Sequence, residues 1–425
     1  MSTYKSFFEK GVFMIKRIIA IVALLALMLS MTTLGTLSAS AASSDWFDKQ
    51  PAQNVDYSFA VLGDIQTITY SDAHNGTKYL EGMFDWILDN REERKIEYVI
   101  GLGDSVETLR CVQGGAVANP KEWQKVRSQL RKMLEADMPH LIVRGNHDDE
   151  TGYHQYVCTD EYKAQMDGFF FDESKTATHG NSMSNCYRKL EIGNHKYLML
   201  GLDYNAWDDE DVIAWANDLV ASNRDYKVIL SIHSYLNGFG NYYKDKIGSA
   251  AANLSGYDEL DFNAQTLWNN FVAKHENMFM VLCGHYSAKY PIVKVAQGNN
   301  GNKVYKILID PQTYEETDPS GFVYMINIKN GGTDMELEYL STAKEKYFGT
   351  NCQMTIELPE GLLPTFVPPV VTEATTTAEP TTEAPATTEE PKKKGCRGSI
   401  TSTVAVCCSM GTVLAAFAMR KRKDD

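Results

Sequence analysis

Five apolar segments of this chain each lead into side chains that can bind a metal ion or move a proton. The segments end in Gly63-Asp64, Gly103-Asp104, Gly145-Asn146-His147-Asp148, Ile232-His233 and Gly284-His285. Taken singly, each group has an ordinary structural explanation, since Asp and Asn after Gly are common in turns and helix caps. Together, carboxylates, an amide oxygen and imidazoles form a ligand set that suits a divalent transition metal. Their recurrence at five such ends favours one shared site.

The apolar segments predict buried strands, and helical patterns separate them. Leu80, Met83, Phe84 and Ile87, for example, fall at helical spacing after the first segment. Strands that alternate with helices indicate a βαβ architecture whose sheet is covered on both faces. Ligands bind in such folds at the carboxyl ends of the strands. The segments 303–310, 321–330 and 335–342 have no long helices between them and predict an antiparallel edge or a second sheet.

The ordered series of motifs resembles the calcineurin-like metallophosphoesterases, a family that includes the purple acid phosphatases. The family pattern is GDxH, GDxx[D/N/E], GNH[D/E], a lone His at a strand end, and GHxH. The matching segments here are GDIQ (63–66), GDSVE (103–107), GNHD (145–148), SIHS (231–234) and GHYS (284–287). The resemblance implies an α/β fold, a four-layer αββα sandwich of two mixed β-sheets, with a two-metal site between the sheets.

The resemblance also implies ligands and catalytic groups. Two divalent metal ions, from among Mn, Fe, Zn and Mg, are expected on Asp64, Gln66, Asp104, Asn146, His233 and His285. Asp104 would bridge the two ions. His147 would contact the phosphate and steady or protonate the leaving oxygen, and Asp148 is expected to orient His147.

The chain departs from the family pattern at the first metal site. The histidine of the first motif is replaced by Gln66, and the last histidine of GHxH by Ser287. Gln66 can offer an amide oxygen, whereas Ser287 is a poor neutral ligand that could act through water. Tyr286 is a further, less favoured ligand. The first site is therefore expected to be weaker and rich in oxygen ligands, favouring Mn²⁺, Fe²⁺ or Mg²⁺ over zinc.

The sequence predicts a metal-dependent phosphoric ester hydrolase that attacks a phosphomonoester or phosphodiester with a metal-bound hydroxide. The alternative is a catalytically weakened metal- or phosphate-binding module at the cell surface. The two missing histidines favour this alternative, and the intact Asn146-His147-Asp148 argues against it. A cell-wall adhesin would leave the clustered ligands unexplained. The net charge of −14 argues against general nucleic-acid binding.

The amino-terminal segment predicts export. Lys16-Arg17, the apolar run Ile18–Leu29 and Ala39-Ser40-Ala41 are typical of a signal peptide, residues 1–41. A retained signal anchor is the alternative. The following residues, 43–360, are assigned to the metallophosphoesterase domain.

The carboxy-terminal segment predicts attachment to a membrane. Residues 361–398 are rich in Thr, Pro and Glu and predict a solvated stalk. The uncharged stretch Ser399–Met419 predicts a transmembrane anchor, or else a processed sorting signal. The basic tail, 420–425, would be cytoplasmic. The domain would then lie at the extracellular face of the membrane, acting on a phosphoester small molecule or a cell-envelope polymer.

Two features of the predicted domain stay open at this level. A disulfide between Cys158 and Cys186 is possible in an oxidising exterior, although the cysteines form no CxxC pair. The insertion Thr151–Met183 carries aromatic side chains, among them Tyr153 and Tyr162, that could either cover the site or pack into the core.

Overall fold

The computed structural model describes residues 45–70, 76–107, 120–170, 183–204, 206–246 and 261–369. These residues belong to the first of the two units, 1–371 and 372–425, into which the chain divides. The predicted signal peptide, the anchor and most of the stalk lie outside the described residues. Among the residues described, no helix has both the length and the apolar character that a membrane span requires.

The described residues form strands and helices whose bounds are as follows. In chain order the strands are β1 (Trp46–Phe47), β2 (Val55–Leu62), β3 (Ile96–Gly101), β4 (His140–Ile142), β5 (Gly168–Phe169), β6 (Cys186–Ile192), β7 (His195–Leu202), β8 (Lys227–Ile232), β9 (Lys244–Lys246), β10 (Asp261–Asn263), β11 (Met278–Cys283), β12 (Ile292–Gln297), β13 (Lys303–Leu308), β14 (Phe322–Lys329), β15 (Asp334–Ser341), β16 (Lys346–Phe348) and β17 (Met354–Glu357). The α-helices are Gln66–Tyr70, Gly76–Asp89, Pro120–Glu135, Glu150–Tyr156, Asp160–Ala164, Glu210–Ser222, Ala264–Asn270 and Gln312–Glu315, with short 3₁₀ turns at Ala206–Asp208, Val272–Lys274 and Thr350–Cys352.

The larger strands form two mixed sheets. The first has the order β1-β16-β15-β14-β2-β3-β4, with β17 paired to β15. Its strands β2, β3 and β4 are parallel, and β14 runs antiparallel to β2. The second has the order β12-β13-β11-β8-β7-β6-β5. Its central strands β7, β8, β11 and β13 are parallel, whereas β12, β6 and β5 run antiparallel to their neighbours.

The apolar side chains divide into three clusters that define four layers. The central cluster joins the two sheets and includes Phe59 and Leu282. A second cluster packs helices against the outer face of the first sheet, and a third does the same for the second sheet. Because successive side chains of a strand point to opposite faces, Phe59 enters the central cluster and Ala60 the outer one. The predicted αββα sandwich of two mixed sheets is confirmed.

The three carboxy-terminal segments divide between the two sheets. Residues 303–310, 321–330 and 335–342 were expected to form an antiparallel edge or a second sheet. The last two do form antiparallel strands, β14 and β15. β13, however, lies in the second sheet and pairs in parallel with β11, while it pairs antiparallel with β12. The parallel pairing brings the carboxyl end of β13 to the edge at which β11 also ends.

The domain continues beyond its predicted end at Glu360. Leu363 is buried, and the ring of Phe366 lies 5.3 Å from that of Tyr57. The Val367 amide donates a hydrogen bond of 2.8 Å to the side chain of Asn194. Residues 361–369 therefore pack on the domain through apolar side chains such as those of Leu363 and Phe366.

The insertion after the third motif supports the core. Tyr153 and Tyr162 are buried, and both hydroxyls bind the backbone of Ile142 at the end of β4. These two aromatic rings thus pack rather than cover the site. Cys158 and Cys186 are buried free thiols in this structure.

Candidate metal centre

The ligands expected from the sequence come together at one edge of the sandwich. Asp104 follows β3, His233 follows β8 directly, and His285 follows β11 by two residues. One ligand atom from each of these three side chains lies within 4.8 Å of the other two. The carboxyl ends of parallel strands in both sheets therefore build one site, as an open α/β arrangement predicts.

Three of these side chains and Asn146 form a set joined by short contacts. The Asn146 Oδ1 atom lies 2.8 Å from His285 Nδ1 and 2.9 Å from His233 Nε2. His233 Nε2 also lies 3.2 Å from Asp104 Oδ2. On its other side, His233 Nδ1 donates to the Leu102 carbonyl at 2.8 Å. That bond fixes the orientation of the ring, so that Nε2 is the nitrogen presented to the site.

Two of the expected ligands occupy backbone conformations that are unusual for their residue types. Asp104 has φ 48° and His285 has φ 70°, in the left-handed region. Such positions cost about 1–3 kcal/mol and concentrate at functional sites. Amide groups hold both loops: the His147 N–H donates to Asp104 Oδ1 at 2.8 Å, and the His285 N–H donates to Asp64 Oδ2 at 2.9 Å. A Cβ on Gly145 would lie 2.1 Å from Asp104 Oδ1, so glycine is required there.

His147 stands beside this set with one nitrogen available. Its Nδ1 atom lies 2.7 Å from Glu107 Oε1, and its Nε2 atom lies 3.9 Å from Asp104 Oδ2. Burial alone would lower the pKa of His147, but the carboxylates of Asp104 and Glu107 outweigh it and raise the pKa to about 9. The side chain keeps 18% of its surface exposed, so it can reach a molecule that enters from solvent.

Asp148 does not orient His147 as expected. Its carboxylate accepts hydrogen bonds from the backbone amides of Ser105, Val106 and Gly145, at 2.7, 3.1 and 3.0 Å. It ties the second and third motif loops together, and Glu107 holds the imidazole instead. The sequence carried a signal for Glu107, because it is the last residue of GDSVE.

Asp64 and Gln66 form the other half of the site. Both are buried, and no donor among the described residues reaches Asp64 Oδ1 or Gln66 Oε1. Gln66 Nε2 donates to Asp104 Oδ2 at 3.3 Å. Burial raises the pKa of Asp64 well above its usual value, and the carboxylates of Asp310 and Asp104 add to the rise. A positive charge added beside Asp64 would therefore stabilise the ionised form of this buried side chain.

The hydroxyl of Ser287, at the position of the family's last histidine, binds a backbone amide. Its hydroxyl oxygen accepts a hydrogen bond of 3.0 Å from the Thr313 amide. Tyr286, the less favoured candidate, is partly exposed, and its ring lies 6.3 Å from that of Tyr243.

The donor atoms of the two halves suit divalent ions. Burial raises the pKa of Asp104, but the imidazoles of His233 and His147 lower it further, so that it falls below its usual value. An ionised carboxylate therefore lies between the two halves, near Gln66 on one side and His233 on the other. One half offers oxygen and nitrogen atoms, and the other offers buried oxygen acceptors that lack donors among the described residues. Both are chemistries that a divalent cation satisfies.

The model of the calcineurin-like phosphoesterase family matches residues 57–287, more than half of the chain. The chain belongs to this family. All five sequence motifs lie within the matched residues. Asp310 and the strands β14 to β17 lie outside them, so the family match alone does not describe the whole domain.

Individual relatives are distant. The uncharacterized protein YvnB of Bacillus subtilis (strain 168) is 26% identical over 242 residues, a match that covers 56% of this chain and 16% of that protein. A dimetal phosphatase from Danio rerio is 12% identical with a TM-score of 0.46, covering 72% of this chain and all of its own. The 5'-nucleotidase precursor from Thermus thermophilus is 10% identical with a TM-score of 0.36, covering 73% of this chain and 56% of its own.

A buried ion pair connects this site to the second sheet, and no pattern in the sequence indicated it. Arg144, just before the third motif, binds Asp203 at the end of β7 through Nε and Nη2, at 2.9 and 3.0 Å. Its Nη1 atom donates to the Asp148 carbonyl at 3.3 Å. The bidentate pair fixes the loop of Asn146 and His147 against the strand that neighbours β8.

Proposed function

We propose that this family member catalyses metal-dependent hydrolysis of a phosphomonoester or phosphodiester. The observation that carries the proposal is the convergence of Asp104, Asn146, His233 and His285, with His147 beside them. A module that only bound metal would need the four ligands. It would have no need of an imidazole held by Glu107 and presented to the solvent side of the ligands.

The side chains divide the work as follows. Asp104 lies between the two halves and is the ligand that both ions would share, while Asn146, His233 and His285 complete one site and Asp64 and Gln66 contribute to the other. When bound, divalent ions lower the pKa of water and neutralise the phosphoryl oxygens. His147 supplies the proton. Its Nδ1–H donates to Glu107, so its Nε2–H is left to donate to the leaving oxygen.

Activity measurements on the purified full chain test the proposal. Metal content is determined first, and an aryl phosphomonoester and an aryl phosphodiester are then assayed with added Mn²⁺. We expect turnover of at least one ester that is abolished in Asp104→Ala. Asp225→Asn, which changes an exposed carboxylate near the amino end of β8, serves as the matched control and should keep full activity.

The same assay evaluates the alternative of a binding module. That reading is supported by Ser287, whose hydroxyl binds Thr313 instead of the first metal site. Retention of metal without turnover of any ester, whichever ion is added, would favour binding over catalysis and contradict the proposed enzyme.

We also propose that the domain acts at the extracellular face of a membrane. The support is the signal-like segment of residues 1–41, the Thr-rich stalk and the uncharged stretch Ser399–Met419 with its basic tail. Protease treatment of intact cells tests the location. The domain should be digested without lysis, and full protection of the domain would contradict it.

A further inference from the structure

The carboxyl end of β13 brings one more carboxylate to the metal centre. Asp310 follows this strand by two residues and is 1% exposed. β13 pairs in parallel with β11, whose end carries His285. Asp310 therefore lies at the same edge of the sheet as the ligands, although it belongs to none of the family motifs.

The Asp310 segment is fixed so that one carboxylate oxygen remains available. Asp310 Oδ1 accepts a hydrogen bond from the Gln312 amide at 2.9 Å, and its backbone carbonyl accepts one from Ala288 at 2.9 Å. No donor among the described residues reaches Oδ2. Leaving a buried acceptor unsatisfied is unfavourable, and more so for a charged group. A carboxylate held in this way indicates a positively charged partner.

Asp64 has the same deficiency, and the Asp310 segment lies close to it. That segment approaches Gly63, the residue before Asp64, through the Ile309 carbonyl and the Pro311 ring. Asp64 Oδ1 and Gln66 Oε1, like Asp310 Oδ2, lack a donor among the described residues. Three buried oxygen acceptors at the ends of two strands thus have no donor from that part of the chain. Oxygen atoms in this arrangement are the ligands of a hard divalent cation.

Two glycines allow the backbone segments around Asp64 to approach closely. A Cβ on Gly63 would lie 2.7 Å from the Ile309 carbonyl oxygen, and one on Gly284 would lie 2.0 Å from Asp64 Oδ1. Glycine at both positions lets the Asp310 segment and the GHYS loop close on Asp64. Ser287 contributes as well, because its hydroxyl anchors Thr313, three residues after Asp310.

We propose that Asp310 is a ligand of the first metal ion and takes the place of the imidazole that is missing at Ser287. The inference rests on the two-metal centre of the proposed function. The first site then consists of Asp64, Gln66, Asp104 and Asp310, a set of oxygen ligands alone. Such a set suits Mn²⁺ or Mg²⁺ better than Zn²⁺, whereas the second site retains two imidazoles.

Metal titration of the full chain tests the inference without relying on activity. Metal-stripped protein is titrated with Mn²⁺, and the bound ions per chain are counted by calorimetry and by elemental analysis. We expect two ions per wild-type chain and one per Asp310→Ala chain, with affinity at the first site reduced about 100-fold or more. Replacing a carboxylate beyond the direct ligands typically costs about 10–100-fold, so loss of a direct ligand should reach at least the upper value.

Two further variants complete the experiment. Asp318→Asn changes a partly exposed carboxylate of the same loop, which pairs with Lys344, and should bind two ions like the wild type. Asp310→Asn preserves the side-chain volume, so it decides the matter if the alanine variant fails to fold. It should weaken the first ion while leaving the second unchanged.

The outcomes separate this inference from the proposed function. Two ions of wild-type affinity in both Asp310 variants would overturn the ligand role, even if the wild type hydrolyses esters. Loss of one ion in these variants would support the ligand role, even if the wild type hydrolyses nothing.

Discussion

The two halves of the metal centre satisfy their polar atoms in different ways. In the imidazole half, the Asn146 side-chain oxygen lies within 2.9 Å of nitrogen atoms of both His233 and His285. In the carboxylate half, buried oxygen atoms of Asp64, Gln66 and Asp310 lack donors among the described residues.

This difference determines how each half depends on a cation. The imidazole half can keep its geometry through its own hydrogen bonds, so its ligands are pre-organised before an ion arrives. The carboxylate half brings like charges into a buried environment, where one carboxylate strongly disfavours ionisation of the other. A cation there relieves repulsion as well as completing a coordination shell. The ligand positions of the imidazole half are therefore fixed without an ion. The free energy of unfolding, by contrast, depends on whether the carboxylate half holds one.

The largest effect expected concerns His147, the proposed proton donor, which lies outside both halves. His147→Ala should lower kcat by about 10²–10⁴-fold, the usual contribution of a positioned acid or base, while metal content stays at the wild-type level. Steady-state kinetics and elemental analysis of the same preparation measure both. His275→Ala, at the opposite edge of the second sheet, is the matched control. An unchanged kcat would remove the proposed role of His147.

The next prediction compares how the two halves contribute to the free energy of unfolding of the metal-free protein. Asp64→Asn should raise the metal-free free energy of unfolding by about 1–3 kcal/mol, since it removes one of two neighbouring buried carboxylates and adds a donor. Urea unfolding with a chelator measures this free energy. It is carried out at pH 8 because burial raises the pKa of Asp310 to about 7. His233→Ala should change the free energy in the opposite direction. If both substitutions destabilise the metal-free protein, the contrast between the halves is wrong.

A smaller effect is expected at the residue that positions His147. Glu107→Gln should reduce kcat about 10-fold, toward the lower end of the loss seen when a partner of a functional group is replaced. It removes the negative charge that helps raise the pKa of His147. The pKa of His147, followed by NMR in the metal-free protein, should fall, a shift that a merely structural role would not produce. Glu135→Gln, an exposed change, is the control.

The smallest effect tests the preference of the carboxylate half for hard ions. Gln66→His restores the imidazole of the family pattern and should tighten Zn²⁺ binding at the first site relative to Mn²⁺ by roughly 1 kcal/mol, or about fivefold. Competition titrations with the two ions measure the ratio. A ratio equal to that of the wild type would show that the oxygen ligands do not set the preference.

Much of the site could be predicted from the sequence, and the misses share a cause. Asp64, Asp104, Asn146, His233 and His285 were found because each ends an apolar run and belongs to a family motif. Asp310 also ends an apolar run, but it belongs to no family motif, and the lack of a long helix before β14 left open whether β13 joins an antiparallel edge or a second sheet. Strand direction depends on which neighbour a segment pairs with, and no local pattern records that choice.

The role of Asp148 was wrong for a related reason. A carboxylate next to His147 in the chain is a natural partner for it, yet the turn aims Asp148 at the amides of Ser105, Val106 and Gly145. The imidazole instead meets Glu107, forty residues away in the chain. Proximity in the chain thus predicted the loop that carries His147 correctly, but not the side chain that contacts it.

The sequence by itself determined the principal strands and the kinds of metal-binding side chain, because burial and ligand character are properties of single residues and short segments. The four layers followed from the resemblance to the family. Tertiary structure alone decided that Arg144 joins Asp203 across the sheets and that the Asp310 segment approaches Gly63, the residue before Asp64. Such contacts depend on the pairing of distant strands. Their interaction energy arises only when two segments come together, so neither segment's sequence alone specifies it.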